Sequence, residues 1–220
     1  MNYERRDFIK KIGLGFGAAI IYNNLSCSLK LFTKNDKLSG FAMILVDYEK
    51  CAGCRTCEAV CSSYNHKLLL NNELLLGLGN PFYSNINVKS YNPDVDIPSV
   101  CALCPDAPCI EACPVSVNNN GQKALYRSTN GTIKNDTDRC LGCGECANAC
   151  EEFRVGIIVP NNETNMPEKM CTLCEGDPQC VKHCPYDALF FEKGILDNKF
   201  YGLSPDEIAK ILTERWYLKN

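Results

Sequence analysis

The apolar residues beyond position 40 fall in short runs that are separated by polar or cysteine-rich segments. Runs of about four to eight residues bounded in this way are typical of strands. Strands are predicted for residues 41–46, 86–91, 155–159 and 188–192. Asn130-Gly131, a favoured turn pair, lies between residues 124–127 and 132–134 and predicts a hairpin there.

Two parts of the chain have helical patterns. The leucine-rich residues 68–76 predict one or two short helices that end at the glycines that follow. Near the C-terminus, Ser204 and Glu207 have capping-box spacing, and Pro205 occupies the first helical position. The apolar positions that follow lie on one helical face: Ile208, Ile211, Leu212 and Trp216. Residues 195–220 therefore predict a C-terminal docking helix.

The cysteines add chemistry to this pattern, because 16 of the 17 lie between residues 51 and 184 in four blocks of four. Blocks one and three have the spacing C-x2-C-x2-C-x3-C. Blocks two and four widen the middle interval and place proline after the last cysteine. Block by block, the cysteines are Cys51, Cys54, Cys57 and Cys61; Cys101, Cys104, Cys109 and Cys113; Cys140, Cys143, Cys146 and Cys150; Cys171, Cys174, Cys180 and Cys184.

Such spacing is typical of the ligands of [4Fe–4S] clusters. Three thiolates on one tight loop can hold three corners of a cubane. The fourth cysteine is expected to start a helix that leads away, and in two-cluster ferredoxins it binds the other cluster. Because the pattern occurs four times, it predicts four [4Fe–4S] clusters with all sixteen cysteines as ligands.

Charge and composition agree with this interpretation. The formal net charge is −3 when every cysteine is counted as neutral. Four oxidised clusters with their thiolates would take it to roughly −11. Since the chain also lacks a basic stripe with interleaved aromatic residues, we do not expect it to bind nucleic acid. Cysteine contributes 17 residues to the 45% apolar content, so the other apolar residues form a small core that the clusters are expected to stabilise.

Two other uses of cysteine fit the spacing less well. Disulfide frameworks are usually found in shorter exported chains, and they do not bunch cysteines in C-x2-C-x2-C loops. Structural zinc usually takes two C-x2-C knuckles separated by a longer loop. Three cysteines within seven residues, as in blocks one and three, match neither arrangement.

The order of strands and blocks bears on which cysteines share a cluster. The strand before block one can pair with the strand after block four, and the hairpin between blocks two and three can close an inner unit. The predicted fold is α+β, in which residues 41–194 form two nested ferredoxin-like modules with long loops. Pairing block one with two, and three with four, is the alternative.

In the nested arrangement the outer module contains residues 51–61 and 171–184, and the inner module contains residues 101–113 and 140–150. The fourth cysteines then cross within each module. The predicted ligand sets are Cys51, Cys54, Cys57 and Cys184 for cluster 1; Cys171, Cys174, Cys180 and Cys61 for cluster 2; Cys101, Cys104, Cys109 and Cys150 for cluster 3; and Cys140, Cys143, Cys146 and Cys113 for cluster 4.

Residues 1–27 predict a targeting segment, and residues 28–40 a linker. Residues 5–10, RRDFIK, resemble a twin-arginine signal, and the apolar residues 12–22 are too few to span a bilayer, which takes about 20. Clusters are inserted in the reducing cytoplasm, so a cluster protein has to be exported already folded. We expect the protein to be exported to the periplasm or to the outer face of the cytoplasmic membrane, or to stay in the cytoplasm if the signal is not used. An amphipathic helix with a chance Arg-Arg pair is the alternative.

The four blocks together resemble a known family. They look like the four-cluster electron-transfer subunits of bis-pterin molybdenum and tungsten oxidoreductases, such as dimethyl sulfoxide reductase, formate dehydrogenase and polysulfide reductase. Residues 46–61 and 80–114 look especially like the small iron–sulfur partners of aldehyde-oxidoreductase-type enzymes. The resemblance covers about 150 residues and implies the nested pairing. Ser62 and Glu151 stand where the family pattern has proline, a residue that does not ligate.

The resemblance implies a function without catalysis. The protein would relay single electrons through four [4Fe–4S] clusters, between a molybdenum- or tungsten-pterin catalytic subunit and a membrane quinone module or soluble carrier. A stand-alone polyferredoxin, or the electron subunit of a hydrogenase or nitrite reductase, would carry the same cysteines. We find no convincing nucleophile–base pair and no phosphate-binding loop in the sequence.

The cluster prediction gives a definite iron content. Protein purified without oxygen should contain about 16 iron atoms per chain and a similar amount of acid-labile sulfide. Colorimetric iron and sulfide analysis measures both. A colourless protein with fewer than about four iron atoms per chain would reject four clusters and favour a disulfide or zinc protein.

Overall fold

The computed structural model describes residues 42–66, 68–75, 79–193 and 199–218. The predicted targeting segment and linker, with Cys27, lie outside these residues. Short elements alternate along the described chain, and they are β1 (Ala42–Val46), α1 (Thr56–Asn65), β2 (Leu68–Leu70), β3 (Glu73–Leu75), a 3-10 turn (Pro81–Tyr83), β4 (Ile86–Asn92), β5 (Val95–Val100), α2 (Pro108–Glu111), β6 (Leu125–Arg127), β7 (Ile133–Asn135), α3 (Glu145–Phe153), β8 (Val159–Pro160), β9 (Pro167–Glu168), a second 3-10 turn (Leu173–Gly176), α4 (Gln179–Lys182), β10 (Leu189–Lys193) and α5 (Pro205–Tyr217).

All the described strands form two-stranded antiparallel pairs, which agrees with the α+β class. β1 pairs with β10, with Ala42 opposite Lys193 and Val46 opposite Leu189. β6 pairs with β7 around a turn in which Gly131 has a φ of 87°. Both pairings were predicted from the sequence and are confirmed. The β1–β10 pair joins the two ends of the cysteine region, and the β6–β7 pair lies between blocks two and three.

The β4–β5 hairpin supplies much of the apolar core. The strand predicted at residues 86–91 is confirmed as β4, whereas β5 was missed. All six residues of β5 are buried, although Asp96 and Pro98 give the segment a polar, turn-like sequence. Its inward side packs against α5, where Ile208 and Leu212 are completely buried. Tertiary burial therefore overrides the local sequence at this strand.

The helices predicted for residues 68–76 are wrong, because β2 and β3 form a hairpin there. Asn71 and Asn72 connect the strands with φ values of 52° and 65°. A two-residue turn with positive φ at both positions matches the right-handed twist of the flanking strands, and asparagine tolerates that conformation better than most residues. The Asn-Asn pair between leucines was the signal for this hairpin.

The strand predicted for residues 155–159 is also largely wrong. Residues 155–158 have no regular secondary structure, and only Val159–Pro160 pairs, with Pro167–Glu168. Gly156 has a φ of 63°, which an extended strand does not allow. The two isoleucines that follow are both buried, so this apolar run fills the core as irregular chain.

The C-terminal helix has the capping box that its sequence predicts. The Glu207 backbone N–H donates to Ser204 Oγ over 3.3 Å, and the Ser204 N–H donates to the Glu207 carboxylate over 2.8 Å. Its apolar face is confirmed at Ile208 and Leu212, whereas Trp216 is exposed. No helix among the described residues is both long and apolar enough to cross a bilayer.

Candidate metal centres

Four cavities within the described chain are each lined by four cysteines. No disulfide joins any of these sixteen residues. We number the cavities in the order of the predicted clusters 1 to 4. Their cysteines are Cys51, Cys54, Cys57 and Cys184 in cavity I; Cys61, Cys171, Cys174 and Cys180 in cavity II; Cys101, Cys104, Cys109 and Cys150 in cavity III; and Cys113, Cys140, Cys143 and Cys146 in cavity IV. The structure therefore brings together the same groups of four that the nested arrangement predicts.

Each cavity takes three cysteines from one block and the fourth from another. Cavities I and II exchange their fourth cysteines between blocks one and four, where α1 packs against α4. Cavities III and IV make the same exchange between blocks two and three, where α2 packs against α3. Helix packing thus positions every fourth thiol.

The loop between the first two cysteines of each block repeats one backbone conformation. The residue before the second cysteine has a left-handed φ in all four blocks, at Gly53, Leu103, Gly142 and Leu173. Leucine in this region costs about 1–2 kcal/mol, so the repeat reflects a requirement of the loop. At Leu173 the conformation directs the backbone N–H to Cys171 Sγ over 3.4 Å.

The helices α1 to α4 each begin one residue before the third cysteine of their block, and not at the fourth cysteine as predicted. In blocks one and three the helix continues past Cys61 and Cys150, which lie one turn after the third cysteine. The C-x3-C interval places both thiols on the same face of that helix. The fourth cysteine of blocks one and three therefore lies within the helix and faces the helix that packs against it.

Proline explains why the helices of blocks two and four end earlier than those of blocks one and three. Pro114 and Pro185 follow the last cysteine of these blocks, and α2 and α4 end before Cys113 and Cys184. A residue that precedes proline is disfavoured in the helical region, so the helix stops there. The fourth cysteine thus lies within a helix in blocks one and three, and after the end of a helix in blocks two and four.

Neighbouring thiols link the cavities in the order I, II, III and IV. Burial raises the pKa of Cys57 in cavity I, and the nearby Cys180 of cavity II raises it further. Burial likewise raises the pKa of Cys171 in cavity II, and Cys101 of cavity III acts in the same direction. Burial also raises the pKa of Cys109 in cavity III, with a smaller contribution from Cys146 of cavity IV, which completes the sequence.

The two ends of this sequence differ from its middle in exposure. Cys54 in cavity I and Cys143 in cavity IV are the exposed cysteines among the sixteen. Burial raises the pKa of Cys101 and of Cys180 to about 12, and neighbouring thiols act in the same direction. These thiols are therefore protonated at neutral pH unless a metal displaces the proton.

No protein-family model matches the chain. It is 30% identical to the ferredoxin-like protein YdhX of Escherichia coli O157:H7, over 91% of this chain and 88% of YdhX. It is 32% identical to the polyferredoxin-like subunit of the aliphatic sulfonate oxidoreductase of Pyrococcus furiosus, over 64% of this chain and 70% of that subunit. It is 31% identical to the thiosulfate reductase electron transfer subunit PhsB of Salmonella typhi, over 71% and 77% of the two chains.

The chain belongs to the family of ferredoxin-like electron-transfer subunits. As a member, it is an iron–sulfur component of an oxidoreductase and not a catalytic subunit. Among solved structures, a chain of the BamBC active-site complex of benzoyl coenzyme A reductase aligns over 80% of this chain and 91% of its own length. The identity is 22% and the TM-score 0.36, values that support no conclusion about the fold.

Several residues around the cavities of this ferredoxin-like subunit were not predicted. Glu58 and Asp96 are buried near cavity I. Burial raises the pKa of Cys57 and of Cys51, and the carboxylates of Glu58 and Asp96, respectively, raise it further. Arg154 lines cavity III, together with Tyr201. Glu58 and Arg154 lie within four residues of a cysteine, and this proximity was the only signal in the sequence. Asp96 and Tyr201 are distant in sequence, so only the fold brings them to the thiols.

Gly53 is expected to be essential for cavity I. An added Cβ would lie 2.2 Å from the carboxylate carbon of the buried Asp96, so Gly53→Ala should displace the first loop and lower the iron content. Gly121→Ala is the matched control, because Gly121 has a similar φ of 72° but open space around it. Iron analysis of both variants measures the difference. Equal iron retention by the two variants would contradict this role for Gly53.

Proposed function

We propose that the protein binds four [4Fe–4S] clusters, one in each of cavities I to IV, and relays single electrons along them. The observation that carries this proposal is the fourfold grouping of thiols around separate cavities. Among the described residues, no three His, Cys, Asp or Glu side chains converge closely enough to hold a single metal ion. Thiols that surround a space, and do not meet at a point, suit a polynuclear centre better than zinc.

The surroundings of the thiols also suit such a centre. The Leu173 backbone N–H donates to the first-position sulfur of its block, Cys171 Sγ. Successive amides in left-handed turns form anion-binding concavities of the kind found at many iron–sulfur sites. A bound cluster would supply one-electron chemistry, while the chain's residues hold it, exclude water and set its potential.

We further propose that two nested ferredoxin-like modules hold these clusters. The outer module would contain cavities I and II and the inner module cavities III and IV. The β1–β10 pair and the contact between α1 and α4 support the outer unit. The β6–β7 pair and the contact between α2 and α3 support the inner unit.

In this proposal electrons enter and leave at the ends of the sequence of cavities. Cys54 and Cys143 are exposed, so cavities I and IV lie closest to external donors and acceptors. Cysteines of cavities II and III are mostly buried, which shields the intermediate steps from solvent. The direction of flow would depend on the partners at the two ends.

The partners in this proposal are a molybdenum- or tungsten-pterin catalytic subunit and a membrane quinone module or soluble carrier. The names of relatives support a catalytic partner, since PhsB is the electron transfer subunit of thiosulfate reductase and another relative belongs to nitrate-inducible formate dehydrogenase of Escherichia coli. A stand-alone polyferredoxin is the second candidate. Export by the twin-arginine route, supported by residues 5–10, belongs to the same proposal.

The pairing of cysteines can be tested by the additivity of iron loss. Cys54→Ala and Cys184→Ala should each lose about four of the 16 iron atoms. The double variant should lose the same four, because both thiols would serve one cluster. Iron and sulfide analysis of anaerobically purified protein measures each loss.

The control for this test combines thiols from different cavities. Cys54→Ala with Cys113→Ala should lose about eight iron atoms, because two clusters lose a ligand. Pairing of block one with block two would reverse the results of the two double variants. That reversal would reject the nested modules and leave four clusters in place.

The partnership predicts a complex. The tagged protein, isolated without oxygen from its native host at its natural level of expression, should co-purify with a large subunit. Elemental analysis should detect molybdenum or tungsten in that fraction. A monomer that carries about 16 iron atoms and neither metal would contradict this partner and favour the stand-alone polyferredoxin.

A further inference from the structure

Cavity III differs from the other cavities in having a largely buried cation at its wall. Arg154 lies immediately after α3, the helix that carries Cys150, and its side chain is 14% exposed. Its Nη2 donates to the carboxylate of Asp106, whose side chain is 58% exposed. Because the carboxylate faces water and the guanidinium does not, solvent screens the negative charge more than the positive one.

Tyr201 holds this arrangement against cavity III. Its hydroxyl donates to the other oxygen of Asp106 over 3.0 Å, and its ring lies 4.7 Å from the guanidinium carbon of Arg154. Cation–π contact and the shared carboxylate thus fix both side chains relative to each other. Arg154 Nε is buried and, within the described part of the chain, has no hydrogen-bond partner.

Arg154 and Tyr201 line cavity III together with the Cys104 thiol. Burial raises the pKa of that thiol, whereas the nearby charge of Arg154 lowers it. A guanidinium at the cavity wall with little exposure to water would stabilise negative charge that is added inside the cavity. A reduced cluster carries one more negative charge than an oxidised one.

Cavity I has the opposite electrostatic environment. Glu58 and Asp96 are buried beside it, and one oxygen of Glu58 has no hydrogen-bond partner among the described residues. Arg55 approaches Glu58 at 3.9 Å, but its side chain is 53% exposed. Two buried carboxylates thus lie beside cavity I, whereas a largely buried cation lines cavity III.

We propose that Arg154 and Tyr201 are positioning residues that raise the reduction potential of the cluster in cavity III. The inference rests on the proposed function, because it concerns a cluster bound there. A fixed cation beside a cluster favours the reduced state, which carries one more negative charge, and local charge is an established determinant of cluster potential. Cavity III then retains electrons more strongly than cavity I and acts as a store within the relay.

The test is a potentiometric titration of the holoprotein, followed by electron paramagnetic resonance. In Arg154→Gln, one of four centres should shift to lower potential by at least a tenfold change in its reduction equilibrium, about 59 mV for one electron. Tyr201→Phe should shift the same centre by less. Arg154→Lys, which keeps the charge, should restore part of the shift.

Lys210→Gln is the matched control, because it removes one positive charge from the exposed face of α5 and Lys210 lines none of the four cavities. It should leave all four potentials unchanged. Unchanged potentials in Arg154→Gln at full iron content would overturn the inference alone. A uniform shift of all four centres, or loss of iron from both Arg154→Gln and Tyr201→Phe, would overturn it in favour of a general or structural role. A wild-type protein without four cubane signals would overturn the proposed function as well.

Discussion

The structure depends on bringing a fourth thiol from a distant part of the chain to three thiols on one local loop. No single block can complete a cavity, because its own fourth cysteine points to the neighbouring one. Each cavity therefore requires tertiary contacts between two blocks, and the short paired strands and packed helices provide them. This reciprocal requirement explains how so many loops are held in place by a small apolar core.

The same loop conformation occurs in all four cysteine blocks, although different residues adopt it. Blocks one and three use glycine before the second cysteine, whereas blocks two and four use leucine in the same left-handed conformation. Proline ends the helix before Cys113 and Cys184, and its absence lets the helix continue past Cys61 and Cys150. The backbone arrangement around the thiols is thus more constant than the sequence that forms it.

The order of strands and cysteine blocks predicted the grouping of thiols well, whereas the spacing within a block left open which blocks share a cavity. The strands β1 and β10 and the capped helix α5 were also predictable from local pattern. The β2–β3 hairpin was missed because leucine runs suggested helices, although Asn71 and Asn72 favoured a tight turn. β5 was missed because its burial depends on α5, and the Arg154–Tyr201 contact was invisible because it joins residues that are distant in sequence.

The β1–β10 pair has a consequence for the order of assembly during synthesis. The eight cysteines of cavities III and IV, from Cys101 to Cys150, emerge from the ribosome in one continuous stretch. Cavities I and II have to wait for the last block and for β10 to meet β1, which has been outside the tunnel since early in translation. A nascent chain truncated before residue 171 thus contains all eight thiols of cavities III and IV, but only four of the eight that line cavities I and II.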